Sequence, residues 1–347
     1  MTRVAAIDCG TNSVRLLIAD ISGNGLSEVE RRMEIVRLGQ DVDRTGLLAP
    51  EALERTFTAM RGYAKLIREH GASRVRVVAT SATRDAANRA DFVDGVREIF
   101  GVEPEVITGS EEAHLSFLGA TTGLTGVETP VVVVDIGGGS TEFVLGSADV
   151  ESAISVDIGC VRLTERHLSS SATSQAVAAA GAEAEAGAGA EAVAGAGAEA
   201  VAGAGAEAVA GAGAEAVAAA GADIEAALDR VSAQVPVERA RTIIGLAGSV
   251  TTVAGIALDL PAYDPERIHG SRIPAAQVHQ VSQRLLAMTH DERAAIPVMH
   301  PGRVDVIGAG ALILDRILSR YGFAEVVVSE HDILDGIAYS LSPGGTL

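Results

Sequence analysis

Apolar positions open the chain in short runs of strand length. Residues 4–8, 14–20 and 27–36 read as three strands, with Gly23-Asn24-Gly25 turning the second into the third. The spacing then lengthens to that of a helix. Pro50 opens a helical stretch that runs to His70 and is stopped by Gly71. Strands follow at 75–79 and 102–107, with helical segments at 86–88 and 91–100 between them. Another helix begins near Ser110, with Glu111 and Glu112 in its first turn. A second round starts at Pro130. It predicts strands at 131–135, 141–145 and 151–156, a helix at 161–167 and, after a long interruption, a helix at 223–234 and a strand at 242–246. Helices at 274–287, 304–320 and 332–341 and a last strand at 324–329 complete the pattern. A β-rich start followed by alternating helix and strand is an α/β arrangement.

The interruption is a repeat. From Gln175 to Ala222 an eight-residue unit recurs, clearest as Glu-Ala-Val-Ala-Gly-Ala-Gly-Ala from Glu191, Glu199 and Glu207. At about 100° per residue each unit ends roughly 80° out of register, so no apolar helix face is sustained. Alanine favours helix, and two glycines per unit each oppose it by about 1 kcal/mol. A frayed helix or a mobile surface excursion, neutral for the chemistry, is expected. A repeat that binds a partner is the alternative.

Composition narrows the class. The 347 residues suffice for two domains with their own cores. The hydrophobic share of 48% is inflated by alanine, and with no apolar stretch of about 20 residues no transmembrane helix is predicted. The first strand begins too soon for a signal peptide, and Cys9 and Cys160 share no metal or redox spacing, so a reduced cytoplasmic protein is expected. A net charge of −19 argues against a nucleic-acid surface. Lys65 is the only lysine, so the cationic side chains are otherwise arginines, which suit bidentate phosphate contacts. A codon bias toward Arg and Ala gives the same usage without a function.

The candidate chemistry sits in two loops of one kind. Ile7-Asp8-Cys9-Gly10-Thr11-Asn12-Ser13 and Val134-Asp135-Ile136-Gly137-Gly138-Gly139-Ser140-Thr141-Glu142 each follow an apolar strand and open with an Asp. Each then offers small residues whose backbone N–H groups can converge on an anion, and each leads into a second strand. Either loop alone reads as an ordinary hairpin turn. Two matched loops imply a phosphate gripped from both sides, in a cleft between related halves. A third stretch of small residues, Ala247-Gly248-Ser249-Val250-Thr251-Thr252, reads as a loop between a strand and a helix.

Five segments together carry a resemblance. They are residues 7–15 around the first loop, Ala79-Thr80-Ser81-Ala82-Thr83-Arg84-Asp85-Ala86, Ile107-Thr108-Gly109-Ser110-Glu111-Glu112-Ala113, residues 135–142, and residues 245–252. In this order they resemble a short-form member of the Ppx/GppA family, the exopolyphosphatases and guanosine pentaphosphate phosphatases of the actin/Hsp70/sugar-kinase superfamily. The octad repeat is foreign to that family's pattern, as is Ala309 in Gly308-Ala309-Gly310. The resemblance implies an α/β fold of two ribonuclease-H-like (actin-like ATPase) domains with an interdomain cleft. The first would comprise residues 1–120 and 313–347 and the second 121–312, with 175–222 inserted in the second.

It also implies roles. Asp8 and Asp135, with Glu142 assisting, would orient Mg²⁺ (or Mn²⁺), an ion that prefers carboxylates, waters and substrate oxygens. Each Asp could instead merely cap its turn. Thr11, Asn12 and Ser13 in the first loop and Gly137, Gly138, Gly139 and Ser140 in the second would bind phosphate. Arg84 would grip a phosphoryl group and stabilise developing charge; a surface arginine is the plain alternative. Arg15 would contact phosphate or pair with a core-edge carboxylate. Glu112 is the candidate general base, aligning and deprotonating the attacking water. Glu111 points about 100° away on the same helix, so both cannot serve. Gly248 and Ser249 would hold a more distant phosphate or simply allow close packing. His269, His300 and His331 show no ligand spacing.

The expected function is release of terminal phosphate from inorganic polyphosphate, with guanosine pentaphosphate (pppGpp) the second substrate. An ATP-binding switch and a binding-only sensor of polyphosphate or alarmones are the rivals. No nucleic-acid or membrane partner is expected, and the resemblance allows a homodimer.

Overall fold

The computed structural model describes residues 2–22, 25–168 and 198–342, without the side chains of 198–212. Its strands form two sheets. β1 (Thr2–Cys9), β2 (Ser13–Ser22), β3 (Gly25–Ile35), β4 (Arg74–Ala79) and β5 (Glu105–Val106) lie in the order β3-β2-β1-β4-β5. β6 (Val131–Ile136), β7 (Thr141–Gly146), β8 (Val150–Val156), β9 (Thr242–Leu246), β10 (Arg272–Pro274) and β11 (Glu325–Val328) lie in the order β10-β11-β9-β6-β7-β8. Each sheet starts as an antiparallel meander, β1-β2-β3 or β6-β7-β8. Each then adds parallel strands beside its first strand, β4 and β5 next to β1, β9 and β11 next to β6. The doubled loop of the sequence is thus a doubled topology, that of two ribonuclease-H-like domains.

Both faces of the central strands are covered, which is why their sequences are apolar throughout. In β1, Ala5, Ile7 and Cys9 face one core while Val4 and Ala6 face another. In β6, Val132, Val134 and Ile136 divide from Val131 and Val133 in the same way. The helix Pro50–His70 has its expected bounds, with Pro at its start and Gly71 left-handed at φ 68° to end it. No helix among the described residues is long and apolar enough to cross a membrane.

One helix joins the halves. Gly109–Thr121 sends Leu115 into the first core and Ala113, Phe117 and Ala120 into the second. The C-terminal helix Ile333–Ser340 crosses it at two glycines. A Cβ on Gly119 would lie 1.8 Å from the Asp332 carbonyl oxygen, and one on Gly336 would lie 2.0 Å from that of Leu115. Only glycine permits so close a backbone approach.

Several expectations shift. Residues 313–328 pack with the second domain: the helix Ile307–Tyr321 contributes to its core and β11 to its sheet, so the chain returns to the first domain only at the 333–340 helix. Residues 86–88 are not helical. A short helix, Ser81–Asp85, precedes them and Ala86 turns extended into the core. The strand expected at 102–107 shrinks to β5, because β4 offers it only Val78 and Ala79 as partners and Pro104 has no N–H to donate. The helix at 161–167 is a short α segment, Cys160–Leu163, continued by a wider π turn to Leu168. In the octad repeat, residues 198–222 belong to one helix, Ala198–Gln234, anchored by Ala220, Ile224, Leu228 and Val231 in the second core. Residues 175–197 and the tip Gly23-Asn24 lie outside the described residues. Where the insertion leaves and rejoins the domain, His167 Nε2 lies 2.8 Å from Asp223 Oδ2, and Arg166 reaches the same oxygen at 3.5 Å.

Candidate active site

The two loops are built alike. Each hairpin is closed by one backbone bond, Gly10 N–H to Ser13 O and Gly137 N–H to Ser140 O, both at 3.0 Å. Asp8 and Asp135 occupy equivalent strand ends, and their cross-strand partners are Arg15 and Glu142. This single difference sets the electrostatics of the two halves. Arg15 donates to Asp8 Oδ2 from Nε (2.9 Å) and Nη2 (2.6 Å), and its Nη1 meets Asp332. Asp135 instead faces a second carboxylate.

The loops touch. A Cβ on Gly138 would lie 2.8 Å from Thr11 Cβ, and one on Gly139 would lie 2.5 Å from Ser81 Oγ. Thr11 Oγ1 and Ser81 Oγ are hydrogen-bonded at 2.8 Å beneath them. Between the loops lies a cavity of about 90 Å³, several times the roughly 10–15 Å³ that holds one water on the same measure.

Most of the sequence-predicted residues meet there. Asp8, Thr11, Asn12, Ser13, Arg15 and Glu112 line the cavity from the first half, and Asp135, Gly137, Gly138, Ser140, Gly248 and Ser249 from the second. Three residues stand behind the wall. Gly139 packs on Ser81 and Thr11. Glu142 is buried and accepts from Ser155 Oγ at 2.7 Å. Arg84 does not face the cavity. Its Nη1 donates to Glu112 Oε2 and to the Ile107 carbonyl, both at 3.1 Å, so it holds the carboxylate rather than a phosphate here.

Helix geometry separates the two glutamates. Glu111 closes a capping box with Thr108, accepting from its N–H and its hydroxyl at 2.9 Å each. Glu112 is buried and turned into the cleft. One turn on, Ser116 donates to Asp135 Oδ2 at 2.7 Å. One helix face therefore carries the candidate base and the side chain that fixes Asp135.

Burial raises this carboxylate group as a set. Glu112 is pushed up to about 7 by burial and by the charges of Asp135 and Asp8, against the pull of Arg84. Asp135 rises to about 6 by burial and by Asp332, with Ser116 and Arg15 opposing. Asp8 is raised by burial, which outweighs Arg15. Glu142 lies well above the usual carboxylate range through burial and the repulsion of Glu112 and Asp135. Asp332 goes the other way: burial is overcome by Arg15 and Arg31.

The third small-residue stretch is not a loop. Ala247 takes a left-handed φ of 69° and the helix Ala247–Ala257 starts there, so Gly248 and Ser249 form its first turn and its N-terminus looks into the cleft. Among the cleft-lining residues with a hydroxyl or cationic side chain, Thr80, Ser81 and Arg303 escaped the sequence reading. Thr80 and Ser81 were within reach, since they stand in the segment that drew attention to Arg84. Arg303 gave no local signal. It reaches the cleft because Gly248 leaves room; a Cβ there would lie 2.4 Å from the Arg303 Cζ.

The residues fit a divalent ion in part. Asp8 Oδ1 is buried without a hydrogen-bond partner, and Asp135 commits only Oδ2 to Ser116. No group of three or more acidic, Cys or His side chains converges on one point among the described residues. An ion bound by Asp8 and Asp135 would complete its shell with waters and substrate oxygens, as Mg²⁺ commonly does.

Comparison with known proteins agrees with this geometry. The profile of the Ppx/GppA phosphatase family matches residues 17–200 and 208–344. The chain belongs to the Ppx/GppA family. It is 46% identical over 357 residues to exopolyphosphatase 2 of Mycobacterium tuberculosis H37Rv, with 99% of each protein covered. A bifunctional 3-dehydroquinate synthase/phosphatase of Fusobacterium nucleatum is 29% identical, over 96% of this chain and 45% of that protein. Among solved structures, an exopolyphosphatase-like protein superposes with a TM-score of 0.82 at 39% identity, covering 97% of this chain and 98% of its own. The Aquifex aeolicus Ppx/GppA member superposes at 0.72 with 30% identity, covering 97% and 96%. Ppx/GppA membership makes the chain a phosphoanhydride hydrolase. The first Asp-led loop precedes the matched range, so its place in the site rests on the geometry above.

Proposed function

We propose that the protein is an exopolyphosphatase that releases the terminal phosphate of linear polyphosphate. The observation that carries this reading is a buried carboxylate, Glu112, raised to about 7 and held by Arg84 at the wall of a cavity between two Asp-led loops. A group with that affinity for protons is matched to general-base work near neutral pH. The exopolyphosphatase relative of nearly full coverage supports the substrate class.

In the proposed reaction the backbone N–H groups of both loops, with Thr11, Asn12, Ser13 and Ser140, hold the terminal phosphoryl oxygens. The N-terminus of the 247–257 helix, at Gly248 and Ser249, faces the adjoining phosphate. Glu112 takes a proton from a water placed in line with the bridging P–O bond. The water oxygen bonds to phosphorus, the bridging bond breaks, and the shortened chain leaves with the electron pair. Arg84 fixes the angle of Glu112, and Ser116 that of Asp135. A divalent ion on Asp8 and Asp135 would neutralise charge on the transferring group. Glu142, behind Asp135, would act through it.

Phosphate release with Mg²⁺ or Mn²⁺ from tripolyphosphate, long-chain polyphosphate, guanosine pentaphosphate and ATP, side by side, tests the proposal. Fast release from polyphosphate is expected. Preference for guanosine pentaphosphate would move the substrate to the alarmones. Binding without release would favour a sensor.

A further inference from the structure

The phosphate cavity opens past Arg15, Met33, Gly248 and Arg303 into a second cavity of about 400 Å³. The remainder of a chain held by its terminal phosphate can run this way. The wall is rich in arginine, yet nearly all of that charge is spent. Arg15 is paired with Asp8 and Asp332. Arg31 lies between Glu28 and Asp335, 2.7 Å from each. Arg32 meets Glu30 at 2.9 Å. His300 is held below its ordinary range by burial and by Arg303, which favours the uncharged ring at neutral pH. Among the cavity's described arginines, Arg303 alone has no carboxylate within 4.0 Å; it bonds Thr252 Oγ1 (3.1 Å) and Met33 Sδ (3.4 Å).

The same cavity holds a carboxylate within the field of this cation, and burial raises its affinity for a proton. Glu330 lines the same cavity and has no ion-pair partner among the described residues. Its Oε1 accepts from the Tyr263 hydroxyl at 2.7 Å, and that hydroxyl lies 2.8 Å from Thr251 Oγ1 on the 247–257 helix. Its backbone N–H donates to His269 Nδ1 at 3.2 Å, and the His269 ring packs on His331 with centroids 4.6 Å apart. The carboxylate is thus positioned, not free to swing away. The remaining wall there, Pro297, Val298 and Met299, is apolar. This is not the continuous basic track that a long polyanion requires.

We infer that Glu330, held in place by Tyr263, blocks the outer end of the cleft to extended polyanions and makes the protein selective for short phosphate chains. The inference requires that a chain of three phosphates end before this carboxylate and that a long one pass it. Like charges brought together in a partly desolvated site discriminate by a factor of ten or more. The inference rests on the polyphosphate reading above.

The test is Glu330→Gln, which keeps the shape and the bond to Tyr263 while removing the charge. kcat/KM per chain end is measured for tripolyphosphate and for long-chain polyphosphate, on wild type and variant. The wild type is expected to favour tripolyphosphate at least tenfold. The variant should raise the long-chain value about tenfold and move the tripolyphosphate value less than twofold. As a binding readout, long-chain polyphosphate should inhibit tripolyphosphate hydrolysis about tenfold more tightly in the variant. Equal change for both chains, or a wild-type preference for long chains, overturns the filter alone. No release from either chain by the wild type overturns the polyphosphate reading and the filter with it.

Discussion

Replacing Glu112 by Gln should make the protein less active and, above neutral pH, more stable. Most substitutions of buried residues destabilise, so the sign is diagnostic. Four carboxylates crowd one cleft, and among them Glu112 is raised from 4.5 to about 7, chiefly by burial. A shift of that size corresponds to about 3 kcal/mol. Between those pH values the folded protein keeps a proton that the unfolded chain has released. The stabilising contribution is therefore complete below about 4.5 and is lost as pH rises through about 7. Glutamine has nearly the same shape and no charge to bury. The variant's advantage should grow from about 1 kcal/mol at pH 5 to about 3 kcal/mol at pH 8, part of it shared with Asp135 because the two titrate together. Thermal melting of both proteins at the two pH values reads the difference. A variant that melts below wild type at pH 8, or by the same margin at both, would refute the claim that Glu112 is a desolvated charge. kcat should meanwhile fall by about 10²–10⁴, the usual span for a lost general base. In the wild type, kcat/KM should rise as pH passes through about 7. Unchanged turnover in Glu112→Gln would remove it from the chemistry.

Three other changes separate the parts of the site. Ser116→Ala deletes the 2.7 Å bond to Asp135, and should cost about 2 kcal/mol of stability and weaken divalent-metal binding in a calorimetric titration, while Ser116→Thr retains both. Gly248→Ala meets the movable end of Arg303 at 2.4 Å, so steady-state kinetics should show KM raised several-fold with kcat within a factor of two and little change in melting. Gly119→Ala meets backbone instead, at 1.8 Å, so the two crossing helices must part; a loss of about 3 kcal/mol is expected in thermal unfolding, and a neutral result would show that the crossing is loose.

The sequence showed what repeats locally and missed what depends on distant chain. The two Asp-led loops were legible because each is a strand, a glycine turn and a strand in succession, and both close by the same Gly-to-Ser bond. The 50–70 helix was legible down to its ends because proline and glycine mark them. That Glu111 and Glu112 cannot both serve was legible from their 100° separation and the resemblance favoured Glu112; the capping box that occupies Glu111 shows only in the structure. Arg303 could not be found, since it enters the cleft only through the space left by Gly248, far away in sequence. Arg84 was legible as a residue of interest, but its partner was not. It was expected to grip a phosphoryl group, whereas the structure brings it to Glu112 on the 109–121 helix. The assignment of 313–328 to the first domain failed for a similar reason. Nothing local says that β11 adds to β9 rather than to the sheet of the first domain. Of the repeat, for which a frayed helix was one expectation, residues 198–222 are helical and are continued by the buried Ile224, Leu228 and Val231, while 175–197 lie outside the described residues.

The pairing of His167 with Asp223 has an evolutionary consequence. It ties together the two points between which the octads lie, so octads ahead of the buried Ala220 could be gained or lost without displacing Gly137 or Ser140. Replication slippage in such a tract is then nearly invisible to selection on catalysis. Repeat number can drift between closely related strains while the cleft stays fixed, and the same position is where a foreign domain could be spliced in with least disturbance.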